Sequence, residues 1–146
     1  MANGMYKLGV RRIMDGTIDL DTNTIVWGLT TVAYTANLDT DDFADDVGTI
    51  MGNGGLTTYG NHPTINNITL TSPIAGTFDT SDATDTITAV PGTVAYTQLI
   101  IWKQDTNLAS SPLIAKYDVT VTSNGSDITV TWANDNNRIF RLVSDP

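Results

Sequence analysis

Apolar and polar residues alternate most regularly between Tyr117 and Trp132, in the stretch YDVTVTSNGSDITVTW. Side chains of a strand point to opposite faces in turn, so Tyr117, Val119 and Val121 share one face of the first strand and Ile128, Val130 and Trp132 one face of the second, and in the hairpin all six fall on the same face. Between them stands Asn124-Gly125, the strongest two-residue sign of a type I′ hairpin, whose two central residues both need positive φ. A turn centred there predicts that Val121 faces Ile128, Val119 faces Val130 and Tyr117 faces Trp132. Thr120 would then pair with Thr129 and Asp118 with Thr131, on the polar side.

The same period marks further strands. TIVWGLTT places Ile25, Trp27 and Leu29 on one face. TINNITLTSP alternates Asn66, Ile68 and Leu70 against Asn67 and Thr69. TVAYTQLIIWKQ is apolar at both parities, with Tyr96, Ile100 and Trp102 against Ala95, Leu99 and Ile101, the mark of a central strand covered on both sides. RIFRLV reads as a closing strand, and GTFDTSDATDTITAVPGT as irregular chain or short edge strands.

Helical spacing occurs once. From Met5 to Asp15, Tyr6, Val10, Ile13 and Met14 fall on one side and Lys7 and Arg11 on another, with Arg12 beside them. Gly16 is placed to end this helix in the left-handed conformation. Gly4 and Gly9 favour the alternative, a flexible arm. The run from Tyr34 to Pro63 is rich in turn formers and acids, and reads as a long loop with one helical turn near Asp41–Asp45. Strands separated by turn clusters, with one short helix, predict an all-β, mainly antiparallel domain, a β-sandwich or jelly-roll-like fold. The expected organisation is an N-terminal helix or arm over residues 1–15 and a single β-sandwich domain over 16–146.

Composition agrees with that class. Charged residues make up 16% of the 146, below the usual quarter, and all 16 acids are Asp. Asp favours turns and helix caps, whereas long helices favour Glu. The net charge of −9 argues against direct nucleic-acid binding, which needs a basic footprint. It suits solubility, or docking on a basic surface. There is no Cys, hence no disulfide framework and no thiolate metal site. The first residues carry no apolar core of a secretory signal, and no apolar run approaches 18 residues, so neither export nor a membrane span is expected.

Candidate chemistry is sparse. His62 is the single histidine and stands beside Pro63; alone it makes no multi-histidine zinc site, and it reads as a loop residue without a chemical role. No serine sits in a nucleophile elbow and no glycine loop precedes a helix as a phosphate cradle. DTDDFADD, Asp39 to Asp46, offers Asp39, Asp41, Asp45 and Asp46 as Ca²⁺ ligands. It lacks the glycine and the closing Glu of an EF-hand, and a solvated loop whose first Asp caps a short helix is the plainer reading. Trp27, Trp102 and Trp132 lie in predicted strands, where core packing outweighs a sugar-stacking platform. A hydrolase working through two Asp residues stands well behind both. Asn124 and Asn67 fit the glycosylation pattern, but the first is explained by its turn. No catalytic residue, cofactor or metal is expected.

Two stretches carry a resemblance, YKLGVRRIMDGTIDLDTNTIVWGL and YTQLIIWKQDTNLASSPLIAKYDVTVTSNGSDITVTWANDNNRIFRL. A short helix leading into G-x-I-D-L-x-x-D/N-T-I-x-V, an Asp-rich stretch, then P-L-I-A-x-x-D, G-x-x-x-T-I-x-W and a terminal I-F-R-L resemble a family of small tailed-phage virion structural proteins. Some of its members resemble capsid cement, or decoration, proteins. The likeness covers both ends of the chain and leaves residues 47–92 without a matching motif. It implies a cement protein that binds the outside of the major capsid shell and stabilises it, with the major capsid protein as partner, a homotrimer as assembly and the virion, assembled in the host cytoplasm, as location. A tail or tail-tip structural protein that binds host glycan is the alternative. Neither role needs catalysis, nucleic acid or a membrane. For the partner interface the residues point to Tyr6, Lys7, Val10, Arg11 and Arg12, a basic end on an acidic domain.

Overall fold

The computed structural model describes residues 3–65, 69–71, 77–81, 84–131 and 141–143. The chain is all-β and mainly antiparallel, with one short helix. Two-residue β1 (Gly4–Met5) leads into helix α1 (Lys7–Met14). Strand β2 (Ile25–Thr30) follows, then a long loop with a 3₁₀ turn at Ala44–Val47. After it come β3 (Thr69–Thr71), β4 (Thr77–Ser81), β5 (Thr84–Ile87), β6 (Ala95–Lys103), β7 (Leu113–Thr122), β8 (Ile128–Thr131) and β9 (Arg141–Val143).

The described strands form three ladders: a four-stranded sheet in the order β1-β7-β6-β2, a three-stranded sheet β3-β4-β9, and a two-stranded ribbon β5-β8. The four-stranded sheet is apolar on both faces, as the double-parity run over 95–102 predicts. Trp27, Leu29, Leu99 and Ile101 point into one cluster with Ile87 of β5 and Ile128 of β8. Val26, Ile100 and Trp102 point the other way, into a cluster completed by Tyr6, Tyr34, Ala44, Val47 and Ile50. One face is therefore closed by the ribbon together with Ile18, Leu20, Ile65 and Val90 from the connections, and the other by chain outside any strand. Tyr96 departs from the predicted grouping. The β6–β7 ladder shifts register between Tyr96 and Gln98, and Tyr96 packs with Leu99 and Ile101. A bulge bends and twists its strand, and strict alternation fails across it.

The predicted hairpin between 117 and 132 is not formed by the described strands. β7 pairs with β6 and β1, while β8 pairs with β5, Ile87 opposite Ile128 and Asp85 opposite Val130. Gly125 has φ +88° but Asn124 stays out of the left-handed region, so the turn is not type I′. The segment is held sideways instead. Gly125 N donates to Val90 O at 2.9 Å, Ser123 N to Val94 O at 3.0 Å, and Ala89 N to Asp127 Oδ1 at 2.8 Å. The β7–β8 connection thus lies against the β5–β6 connection, and both pass from sheet to ribbon. The face assignment survives this change of partner. Tyr117, Val119, Val121, Ile128 and Val130 all pack on one cluster. Trp132 lies outside the described residues, as do Asn66 to Ile68.

Candidate partner interface

Helix α1 starts where the chain leaves β1. β1 adds to the edge of β7, Gly4 opposite Lys116 and Met5 opposite Ala115, and Tyr6 N then donates to Ile114 O at 3.0 Å. The N-terminal segment is therefore part of a ladder of its own chain. Gly9 explains how closely α1 lies on β7. A Cβ there would stand 2.4 Å from Leu113 O and 3.1 Å from Ile114 Cα. The glycine that argues for a flexible arm by propensity is the one that seats the helix. Gly16, at φ +77°, ends it as expected.

Seating on Gly9 turns the inward face. Tyr6 is fully buried and Gly9 and Ile13 face the body, while Met14, read on the same side as Tyr6 and Ile13, is 77% exposed. Val10 is half-buried. Lys7 and Arg11 are exposed, and Arg12 is largely covered. Of the five residues read as an interface, Lys7 and Arg11 reach solvent freely, and Tyr6 presents no surface. A hollow of about 260 Å³ opens beside them, bounded by Leu8, Arg11, Arg12, Asp15 and Thr17.

The acidic run 39–46 is the partner of this helix within the chain. Tyr34 Oη donates to Asp41 Oδ2 at 2.7 Å, and Asn37 N donates to the same oxygen at 2.8 Å. Tyr34 has a single proton, so Tyr6 Oη donates to Tyr34 Oη across their 2.9 Å contact. Burial pushes Tyr6 up to about 12, and burial followed by the Tyr6 and Asp41 hydrogen bonds raises Tyr34 as well. Lys7 N donates to Leu38 O at 2.9 Å, and Lys7 Nζ pairs with Asp39 at 2.8 Å. Arg12 Nη1 donates to Asp42 O at 2.8 Å, its other nitrogen lies 3.6 Å from the Asp42 carboxylate, and the guanidinium stands 4.3 Å over the Phe43 ring. Desolvation raises Asp42 against the pull of Arg12. Asp46 Oδ2 accepts from Asp42 N at 2.8 Å and Phe43 N at 3.3 Å, holding the 3₁₀ turn from its third residue rather than its first. Of the four acids that suggested Ca²⁺ ligands, Asp39 thus pairs with Lys7, Asp41 accepts from Tyr34 and Asn37 N, and Asp46 accepts from two backbone donors. Among the described residues no three His, Cys, Asp or Glu side chains gather as a metal site.

The other singled-out residues have structural places. His62 is buried, its Nε2 3.1 Å from Ile50 O and its ring edge-on to Trp102 at 4.8 Å between centroids. Burial lowers its pKa below the ordinary 6.5. Trp27 and Trp102 have no exposed surface and offer no platform to a sugar. Gln98, which the sequence reading passed over, is buried in β6 and donates through Nε2 to Tyr34 O at 2.7 Å, joining the sheet to the loop. A Gln inside an otherwise apolar strand was the available sign. No described helix is long and apolar enough to cross a membrane. No protein-family model, characterised protein or solved structure matches the chain.

Proposed function

We propose that this chain is a phage capsid cement protein that binds the outside of the major capsid shell and stabilises it, assembling there as a homotrimer. The observation that carries the reading is the pair of sequence stretches at the two ends of the chain that resemble tailed-phage virion proteins. The motif G-x-I-D-L-x-x-D/N-T-I supports it by having a coherent task. Gly16 ends α1, Ile18 and Leu20 enter the core, Asn23 Oδ1 accepts from Asp19 N at 2.9 Å, and Ile25 begins β2. A cement protein must resist mechanical load, and a sheet buried on both faces is a suitable body for that task. The trimer comes from the resemblance alone.

Mass spectrometry of virions purified from the encoding phage tests the reading. Many copies per particle are expected. A handful of copies would move the protein to the tail, and absence from the particle would overturn the virion reading altogether.

A further inference from the structure

We propose that the outward face of α1, formed by Lys7, Arg11 and Met14, is a docking surface for a short acidic segment of a partner protein that also brings an apolar residue. For the partner's identity this rests on the capsid reading; the chemistry of the face rests on its own residues.

Residues 7, 11 and 14 lie four and three positions apart and so share one helix face, opposite the Gly9 and Ile13 side that meets the body. Lys7 and Arg11 are exposed, and Met14 is the most exposed large apolar residue described, followed by Val32 on a separate loop. Arg11 makes no ion pair with a described residue. The hollow beside it, about 260 Å³ between Leu8, Arg11, Arg12, Asp15 and Thr17, has room for a side chain or two. Arg and Met are the residue types enriched at protein interfaces. Lys7 is paired with Asp39 at 2.8 Å, an exposed contact that water and salt screen, and the other cations with described side chains are committed more firmly. Lys116 is buried 2.6 Å from Asp118, and Lys103 is mostly covered, with its Nζ 3.9 Å from Asp105.

Size selects the occupant. Eight helical residues span about 12 Å, close to the screening length of about 8 Å at physiological salt. The domain around this face carries the net charge of −9. A long polyanion, whether nucleic acid or an anionic bilayer, would run off the cations onto acidic surface and be repelled. A short acidic stretch reaches Arg11 and competes with the exposed Asp39 for Lys7, with Asp15 as the acid at the edge of the hollow, and its apolar residue covers Met14.

The probe is the end-capped tetrapeptide Asp-Asp-Leu-Asp, about 13 Å when extended, titrated into the isotope-labelled full chain and followed by amide chemical shifts. Shifts clustered on residues 7–17 are expected, with affinity falling about tenfold for Arg11→Glu, the reach of a reversed charge pair. Met14→Ser, or a peptide with serine in place of leucine, should weaken binding by a smaller factor. Arg11 makes no side-chain hydrogen bond or ion pair with a described residue, so the melting temperature of Arg11→Glu should stay close to wild type; if the added acid beside Asp15 lowers it, Arg11→Gln takes its place. No clustering on α1, or unchanged binding by the charge variant, overturns the proposal. Stronger binding at the same residues by a decathymidylate or by phosphatidylserine vesicles overturns it in favour of those ligands. Self-association abolished by Arg11→Glu overturns it in favour of a second copy. Capsid shells stripped of the protein form the second arm. Wild type should attach and Arg11→Glu should not, and attachment by the variant at full occupancy overturns the proposal. Failure of wild type to attach defeats the capsid reading, and the peptide arm then decides the surface by itself.

Discussion

The two faces of the four-stranded sheet are equally dry and are closed in different ways. On one, Trp27, Leu99 and Ile101 meet the β5–β8 ribbon, strand on strand, with Ile18, Leu20, Ile65 and Val90 of the connections filling in around it. On the other, Ile100 and Trp102 meet Tyr6, Tyr34, Val47 and Ile50, none of which lies in a strand. A ribbon satisfies its own backbone through its ladder. A loop has no ladder, so its polar groups need other partners. The loop side accordingly carries the Tyr6–Tyr34–Asp41 chain, the Gln98 bond and His62. Burial of apolar area holds both faces; backbone bonds such as Gly125 N to Val90 O position the ribbon's connections, while buried side-chain bonds position the loop.

The largest test sets one tryptophan against the other. Trp27→Ala should cost about 3–5 kcal/mol and strip hydrogen-exchange protection from the sheet and ribbon together. Trp102→Ala should cost a similar amount, with protection lost first across residues 34–50 and α1. If Trp102→Ala instead unprotects the ribbon as fully as the loop, the faces are not separable and the comparison fails.

Two smaller changes probe how the loop side is fastened. Gly9→Ala puts a methyl group 2.4 Å from Leu113 O, a backbone atom that cannot step aside. Its cost should lie toward the upper end of about 1–3 kcal/mol, despite the better helix propensity of Ala. A raised melting temperature would show that α1 does not sit on β7 as described. Tyr34→Phe keeps the ring and removes the hydroxyl that links Tyr6 to Asp41. It leaves a buried donor without its acceptor, and should fall at the lower end of about 1–3 kcal/mol. Denaturant midpoints would measure both, and a neutral Tyr34→Phe would remove the hydroxyl chain from the account.

What the sequence disclosed follows the same division. Period 2 marked the sheet's two apolar faces because alternation is a local property of backbone and burial. It placed Val119, Val121 and Val130 against one core although it gave them the wrong neighbours. Pairing is decided by what the turn meets, and the chain around Ser123 and Gly125 is bonded to Val94 and Val90, some thirty residues away. The loop side shows no strand period. Ala44, Val47 and Ile50 stand three apart, in step with the 3₁₀ turn over Ala44–Val47, but three apolar residues in an acidic, turn-rich run do not mark an element by themselves, and their burial identifies them. The interface residues divided for a related reason. Helical spacing ranked Tyr6 and Met14 together, whereas the close seat at Gly9 turned Tyr6 in and Met14 out. Arg12 was legible as a cation, but not as one committed to Asp42 and Phe43.

His62 makes the loop side sensitive to pH. Its pKa is lowered in the fold by burial, so the folded chain prefers the neutral ring. The associated stability is present above the unfolded value of 6.5 and is lost as pH falls through the lowered one. Asp42, raised by desolvation, works in the opposite sense at lower pH. The expected outcome is a fall in stability between pH 7.5 and pH 5.5 that is smaller in His62→Gln. Equal slopes in the two proteins would mean that the ring does not titrate in the unfolding reaction.

The smallest expected effect belongs to the most visible ion pair. Lys7 Nζ and Asp39 stand 2.8 Å apart, with side chains 71% and 64% exposed. Water and salt screen such a pair, and ordering two mobile side chains offsets much of the attraction, so Asp39→Asn should change stability by no more than about 0.5 kcal/mol. The change has a second reading. Removing Asp39 frees Lys7 and makes the outward face of α1 more basic, so the acidic peptide should bind Asp39→Asn somewhat more tightly than wild type. Urea titration and the peptide titration together separate the two roles. A stability loss well above that bound would mean that the pair is a working part of the fastening between helix and loop. Weaker peptide binding would mean that Asp39 positions Lys7 for its partner instead of competing with it.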